Sequence, residues 1–307
     1  MRIRMLTAGL MVSLSCGIVF AANKDVGTTG AQFLKIGAGA RPVGMGEAFT
    51  GVADDVNAIA WNPAGLAFLT RPEFTAMHSQ WFQDTDYEFA AGVYPTAWGT
   101  FGIGASTLNI DKIEKRTADT ETPDSTFESS DGAYLLSYSR TMGSAWAVGV
   151  NARYISEQLD TEKATSVSAD LGAFWKTPHR PLTMGLSVRH LGSQIKFREE
   201  SDPLPRTVTL GLGYKMFSDR LTLGVDFRRP VDDGVQYAVG AELTQKLLWD
   251  IAGSLRTGYN TAGTDADGLT GLSVGMGLSW RHYSFESAWV PYGDLGQTFR
   301  YALVVKF

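Results

Sequence analysis

From about residue 74 to the end, apolar and polar residues alternate, a period of two that sets every second side chain on one face of an extended strand. Leu221, Leu223, Val225 and Phe227 alternate with Thr222, Gly224, Asp226 and Arg228. Val208, Leu210, Leu212, Tyr214 and Met216 alternate with Thr207, Thr209, Gly211, Gly213 and Lys215, and the run from Val235 to Thr244 repeats the pattern. The alternation predicts strands near 74–82, 87–95, 99–109, 131–141, 145–157, 164–176, 182–192, 206–217, 220–228, 235–244, 247–259, 269–280, 281–290 and 298–307. That is fourteen, an even number.

The connections sort by parity. Links after even-numbered strands are tight: Thr96 to Trp98, Met142 to Ser144, Thr177 to Pro181, Ser218 to Asp219, Gln245 to Lys246, and Trp280 to Arg281. Links after odd-numbered strands are longer: Ile110 to Ser130, Gln158 to Lys163, Gly192 to Pro205, Arg229 to Gly234, Asn260 to Gly268 and Pro291 to Gln297. Only the first of these, Gln83 to Asp86, is short. Short turns on one rim and longer loops on the other are the mark of a transmembrane barrel, and a soluble sandwich has no reason to segregate them. The expected fold is therefore all-β: a 14-stranded antiparallel transmembrane β-barrel with both chain ends at the periplasmic rim.

In such a barrel the backbone is paired within the closed sheet and the exterior must be apolar. That register turns Arg153, Asp170, Arg189, Lys215, Asp226, Arg228, Glu242, Asp250, Arg256, Glu286, Arg300 and Lys306 inward. Both signs are mixed, so the lumen reads as internally paired rather than as a single-sign ion filter. Aromatic residues gather at strand ends, among them Tyr94, Trp98, Trp146, Trp175, Trp249 and Trp280, where amphipathic rings favour the headgroup level. Glycines within strands, such as Gly211, Gly213, Gly275 and Gly277, fit tight curvature or close approach of a plug to the wall.

Residues 31–70 do not alternate. They are rich in small residues, carry the acidic pair Asp54 and Asp55, and have helix-compatible apolar spacing, which predicts a plug ahead of the wall. Gly39 and Gly44 have Walker A spacing, but Met45 and Gly46 stand where Lys and Ser or Thr are required. A dinucleotide fingerprint fails too, because Pro42 interrupts it.

Composition adds the compartment. Charged residues are 19%, Gly numbers 34 and the formal charge is -5. The chain opens with Arg2 and Arg4, an apolar run from Met5 to Phe20, and Val19-Phe20-Ala21 as a small-x-small cleavage site. The organisation read from this is a signal peptide over 1–21, a hatch over 22–72 and a barrel over 73–307. Removing Arg2 and Arg4 takes the charge from -5 to -7, which disfavours nucleic acid as a partner. Cys16, the only cysteine, falls in the signal, so disulfides contribute nothing to the exported chain. The four histidines, His78, His179, His190 and His282, lack metal-ligand spacing, and no Gly-x-Ser-x-Gly elbow occurs, so neither a cofactor nor an enzyme is expected.

The stretch GARPVGMGEAFTGVADDVNAIAWNPAGL, residues 39–66, resembles the N-terminal signature of the PorV/PorQ family, a branch related to FadL-type fourteen-stranded outer-membrane barrels. Further similarity lies at 204–215, 239–259, 271–278 and 292–307. The resemblance implies an N-terminal hatch marked by Gly44, Gly46, Asp54, Asp55, Asn62, Pro63, Ala64 and Gly65, with Asn62-Pro63-Ala64 standing for the NPA element of FadL-type hatches. The alternating last strand, with Tyr301, Leu303, Val305 and the terminal Phe307, resembles the signal that such barrels present to the barrel assembly machinery.

Two functions follow from the resemblance. PorV-like members act in type IX secretion, receiving cargo proteins by their C-terminal domains at the translocon, and this is the first expectation. FadL-like members carry hydrophobic molecules, which would require an apolar pocket near Phe49, Trp61 and Leu66. Either places the protein in outer-membrane lipid of a diderm bacterium.

Overall fold

The computed structural model describes residues 26–82, 85–177, 181–262 and 269–307, and the expected signal peptide lies outside them. The first half of the wall comprises β1 (Glu73–Gln80), β2 (Thr85–Thr96), β3 (Gly99–Lys115), β4 (Ser125–Met142), β5 (Trp146–Leu159), β6 (Glu162–Lys176) and β7 (Leu182–Gly192). A two-stranded hairpin, β8 (Ile195–Phe197) and β9 (Glu200–Asp202), follows. The second half is β10 (Thr207–Met216), β11 (Leu221–Pro230), β12 (Gln236–Leu248), β13 (Ile251–Asn260), β14 (Leu272–Trp280), β15 (Tyr283–Pro291) and β16 (Gln297–Lys306). Fourteen strands, all but β8 and β9, close into one antiparallel barrel. The seam joins β1 to β16 from Glu73↔Lys306 to Gln80↔Phe299, so the wall has no free edge.

The period of two explains which face is which. On β10 and β11, Val208, Leu210, Tyr214, Leu223 and Phe227 are exposed, while Thr209, Thr222, Asp226 and Arg228 are buried. The same division runs round the wall: Val150, Leu171, Leu255, Met276, Leu278 and Leu303 lie on the outside. Such a continuous apolar exterior is unstable in water and matched to hydrocarbon. Trp146 stacks on Trp175 at 5.2 Å near the short turns.

Loop segregation is present, with two differences from the sequence reading. Pairing of β3 with β4 continues past a bulge between Ile110 and Ile113 to Lys115↔Ser125, so most of the expected 110–130 loop is wall. The expected 158–163 loop is reduced to a two-residue turn, because β5 and β6 pair out to Leu159↔Glu162. Among the charges expected inside, Asp250 is the exception. It lies in the turn between β12 and β13, exposed, with its carboxylate 3.3 Å from Arg281.

Residues ahead of β1 thread the lumen. At the long-loop rim the Gly30 N–H donates to the Pro203 carbonyl and Thr29 Oγ1 donates to Asp232, both at 3.0 Å. The chain then descends through α1 (Ala40–Gly44), α2 (Ala58–Trp61) and a 3₁₀ turn over Pro63–Phe68 to the short-turn rim, where the Phe307 N–H donates to the Pro72 carbonyl at 3.0 Å. The first residues of the expected exported chain, 22–25, lie outside the described ones. Val26–Lys35 sit at the opposite rim from Phe307.

Candidate functional site

Three sets of contacts fix the lumenal segment. The first is a track of glycines on the inward face of the wall. Gly275, Gly258, Gly240, Gly224, Gly211 and Gly185 lie against the backbone of Gly44, Gly46, Met45, Ala48, Gly51 and Thr50, so closely that a Cβ on any of them would press into that backbone. Gly172 and Gly149 continue the track to Asn62 and Pro63. The segment thus rises through its own sequence as it passes back from β14 to β5.

The second set is ionic. Arg41 bonds Asp54 at 2.6 Å, Asp55 at 2.7 Å and both oxygens of Glu242 on β12, at 2.7 and 2.8 Å. Glu242 also accepts from Arg256 on β13 at 2.5 Å, Arg256 reaches Glu286 on β15, and Lys215 on β10 bonds Asp54 at 2.7 Å. Burial alone would raise the Asp54 carboxyl, but Arg41 and Lys215 hold it well below the usual carboxylate range. Burial opposes the Arg41 charge, yet Asp54, Glu242 and Asp55 together raise its pKa.

The third set is polar capping of backbone. Asp226 Oδ2 accepts from the N–H groups of Phe49 (3.2 Å) and Thr50 (3.0 Å), and Glu73 accepts from Val56 N–H at 3.0 Å. Asn62 caps the following 3₁₀ turn through Ala64 N–H, and its amide donates to the carbonyls of Thr50 (3.2 Å) and Ala173 (3.1 Å). The Asn-Pro-Ala sequence is a fastening: the asparagine ties two carbonyls while the proline enters the turn where no N–H is needed. Gly65 lets the turn pack on Ala53.

Above this fastened part lies a cavity of about 1000 Å³, counted with its opening to solvent. Its floor is Trp61, whose indole N–H donates to the Ala38 carbonyl at 2.9 Å. Tyr87 and Phe89 of β2, Ser106 of β3 and Leu135 of β4 form one wall, and Leu34, Lys35 and Ile36 form the side towards the long-loop rim. Two guanidiniums, Arg189 and Arg228, lie 5.2 and 5.3 Å from the Trp61 ring centroid. Arg228 pairs with Glu47 at 2.8 Å. Arg189 reaches the Ala60 carbonyl at 3.3 Å and has no carboxylate within ion-pair distance among the described residues.

A β-bulge opposite Ala169–Leu171 puts Arg189 and His190 together on the inner face. Asp170 sits at that bulge, accepting from His190 N–H at 2.9 Å, Asn151 at 2.9 Å and Arg153 at 2.7 Å. Residues Lys35–Gly37 separate this cavity from a second, of about 850 Å³, bordered by Trp81 and Tyr292.

The residues singled out from the sequence divide by location. Gly44, Gly46, Asp54, Asp55, Asn62, Pro63, Ala64 and Gly65 all belong to the lumenal segment and its fastenings. Of Phe49, Trp61 and Leu66, Trp61 alone lines the cavity; Phe49 and Leu66 are fully buried in packing. Tyr301, Leu303 and Phe307 are exposed on the outside of the last strand, away from the lumen, with Val305 half-buried among them. The sequence reading missed Arg41 and Glu47. Their signal was available: they are the lone charges of a Gly- and Ala-rich stretch, facing a wall that carries opposite charges. No group of three or more His, Cys, Asp or Glu positioned to hold a metal occurs among the described residues.

The model of an uncharacterised protein family (UPF0164) matches residues 8–123. No curated protein matches the sequence. Solved structures of similar fold include the toluene transporter TbuX of Ralstonia pickettii, at a TM-score of 0.58 and 13% identity over 88% of this chain and 97% of that one. The toluene transporter TodX of Pseudomonas putida gives 0.57 and 11% over 88% and 97%, and a FadL homologue of Pseudomonas aeruginosa gives 0.55 and 13% over 88% and 98%. The barrel therefore has the fold of FadL-type outer-membrane channels.

Proposed function

We propose that this protein is a non-enzymatic outer-membrane channel that takes hydrophobic small molecules into its lumen, with the segment before β1 acting as a hatch. The observation that carries the reading is the cavity over Trp61. One side, built from Tyr87, Phe89 and Leu135, is apolar, while Glu47, Arg189 and Arg228 gather beside Trp61 and Lys35 stands on the side towards the long-loop rim. Ligand sites combine an apolar lining with few, fixed polar groups in this way. The likeness to toluene transporters supports the same class of cargo.

Binding of the fluorescent apolar probe N-phenylnaphthylamine to the purified protein in detergent tests this. Saturable binding is expected, and Ser106→Trp, which fills the cavity from β3, should abolish it while leaving the heat-dependent gel shift of a folded barrel intact. Unchanged binding in that variant would move the ligand elsewhere.

A role in type IX secretion rests on the resemblance of residues 39–66 to PorV/PorQ proteins and would engage a translocon and cargo C-terminal domains. It requires that deletion of the gene stop export of C-terminally tagged cargo.

A further inference from the structure

A polar pair stands on the outward face of the wall. The exterior positions of β1 are Phe74, Ala76, His78 and Gln80, and those of β2 include Glu88, Ala90 and Gly92. His78 and Glu88 face each other across these strands, both about half exposed, with His78 Nδ1 2.6 Å from one Glu88 carboxylate oxygen. His78 Nε2 and the second Glu88 oxygen have no hydrogen bond among the described residues. On β16 the exterior run Phe299, Tyr301 and Leu303 lies opposite Gln80, His78 and Ala76, so the imidazole stands within the apolar band. Polar groups in that position are costly unless something pairs with them. Beside the pair the surface is concave. Ala76, Ala90 and Ala105 form a row across β1–β3, and with His78, Glu88 and Thr107 they line a depression of about 780 Å³, counted with its opening. Tyr301 and Leu303 of β16 and Phe285 of β15 border it on one side. The face is therefore bulky on one side of the β1–β2 pair and small on the other.

We propose that this face is a contact between two copies of the chain, side by side in the bilayer. The proposal rests on the barrel spanning a bilayer and is independent of the cargo. A closed dimer brings one patch against itself, so the patch must be self-complementary. Here a two-fold axis parallel to the barrel axis, set between His78 and Glu88, places each protonated imidazole against the other copy's carboxylate. The same rotation carries Tyr301 from one side of the axis onto Ala90 on the other. His78 Nε2 then donates to the Glu88 oxygen that the single chain leaves without a partner. An acyl chain would fill the alanine depression but would leave both of those atoms unpaired.

Thiol crosslinking of the full chain in its membrane tests the proposal. Ala76 lies beside the axis, so Ala76→Cys treated with the membrane-permeant bismaleimidoethane should give a dimer band on a denaturing gel. Leu210→Cys, exterior on β10 across the ring, should give none. Adding Glu88→Lys to Ala76→Cys should cut the dimer roughly tenfold or more, the scale of breaking a desolvated charge pair. Exchanging the two groups, His78→Glu with Glu88→His, should restore it. Ala90→Trp should also abolish the dimer while the heat-dependent gel shift of a folded barrel stays intact. No dimer from Ala76→Cys, an equal dimer from Leu210→Cys, or a dimer unaffected by Glu88→Lys would overturn the assignment. Native mass spectrometry that finds only monomers, each holding a phospholipid that Ala90→Trp releases, would overturn it in favour of a lipid. Recovery of the protein in the soluble fraction would remove the bilayer, and the proposal with it.

Discussion

The wall formed by β10–β13 and the wall formed by β2–β4 share one alternation but meet the lumen differently. On the first, inward positions are Gly211, Gly213, Gly224, Gly240 and Gly258, and the backbone of residues 45–51 lies directly on the strands. On the second, inward positions are Tyr87, Phe89 and Leu135, and these border open space. The lesson is that period two settles only which face a residue takes. Inward side-chain volume then decides whether a wall grips the lumenal segment or leaves open space beside it.

That contrast can be broken from the gripping side first. Gly240→Val should be the most damaging change, because the new branched side chain would strike the Met45 backbone, which cannot move without releasing the hatch. A loss of at least about 4 kcal/mol, read as disappearance of the folded band on unboiled gels, is expected. Next comes Arg41→Met, which strands Asp54, Asp55 and Glu242 without their shared cation. A cost of about 3 kcal/mol follows from leaving buried Asp55 without a cation and Asp54 and Glu242 with only Lys215 and Arg256, measured by urea unfolding in detergent.

The same ion network gives a pH dependence. The Asp54 pKa is depressed in the folded protein, so its contribution is complete above the ordinary carboxylate range and is lost only as pH falls through the lowered folded value. Protease protection of residues 41–54 should therefore persist at pH 5 and weaken only in strong acid. Arg41→Met should lose protection at pH 5.

Smaller changes sharpen the contrast from the cavity side. Trp61→Phe keeps the ring over the floor but removes the N–H bond to Ala38, a loss of about 1 kcal/mol by the same unfolding measurement. Smallest of all is Gly92→Ala on the exterior of β2, where a Cβ would meet only the Phe74 ring, at 3.7 Å. It should alter stability by less than about 0.5 kcal/mol. An effect of Gly92→Ala as large as that of Gly240→Val would end the distinction between gripping glycines and the rest.

Much of the wall was legible because one local rule governs it. Arg153, Asp226, Glu242 and Arg300 all point inward as alternation requires, and Asp250 escaped because it occupies a turn, where alternation has no meaning. The extra pairing of β3 with β4 beyond Ile110 was hidden by a bulge, which shifts the phase of the pattern. His190 was hidden by another, which seats it beside Arg189 at the cavity. The path of the hatch was less legible, since it is set by contacts between residues about 200 positions apart, such as Arg41 with Glu242. Strand glycines hinted at close approach without saying which backbone would come to rest on them.

The bond from Phe307 N–H to the Pro72 carbonyl joins the last residue to the point where the hatch becomes wall. Residues 26–72 precede every strand of the wall along the chain, and β16 must find β1 before the ring is complete. Until that pairing forms, the wall is an open ribbon against which the inner thread can be laid from the side. The closed cylinder is thus wrapped around its contents, and the bond at Phe307 ties the thread to the strand that shuts it.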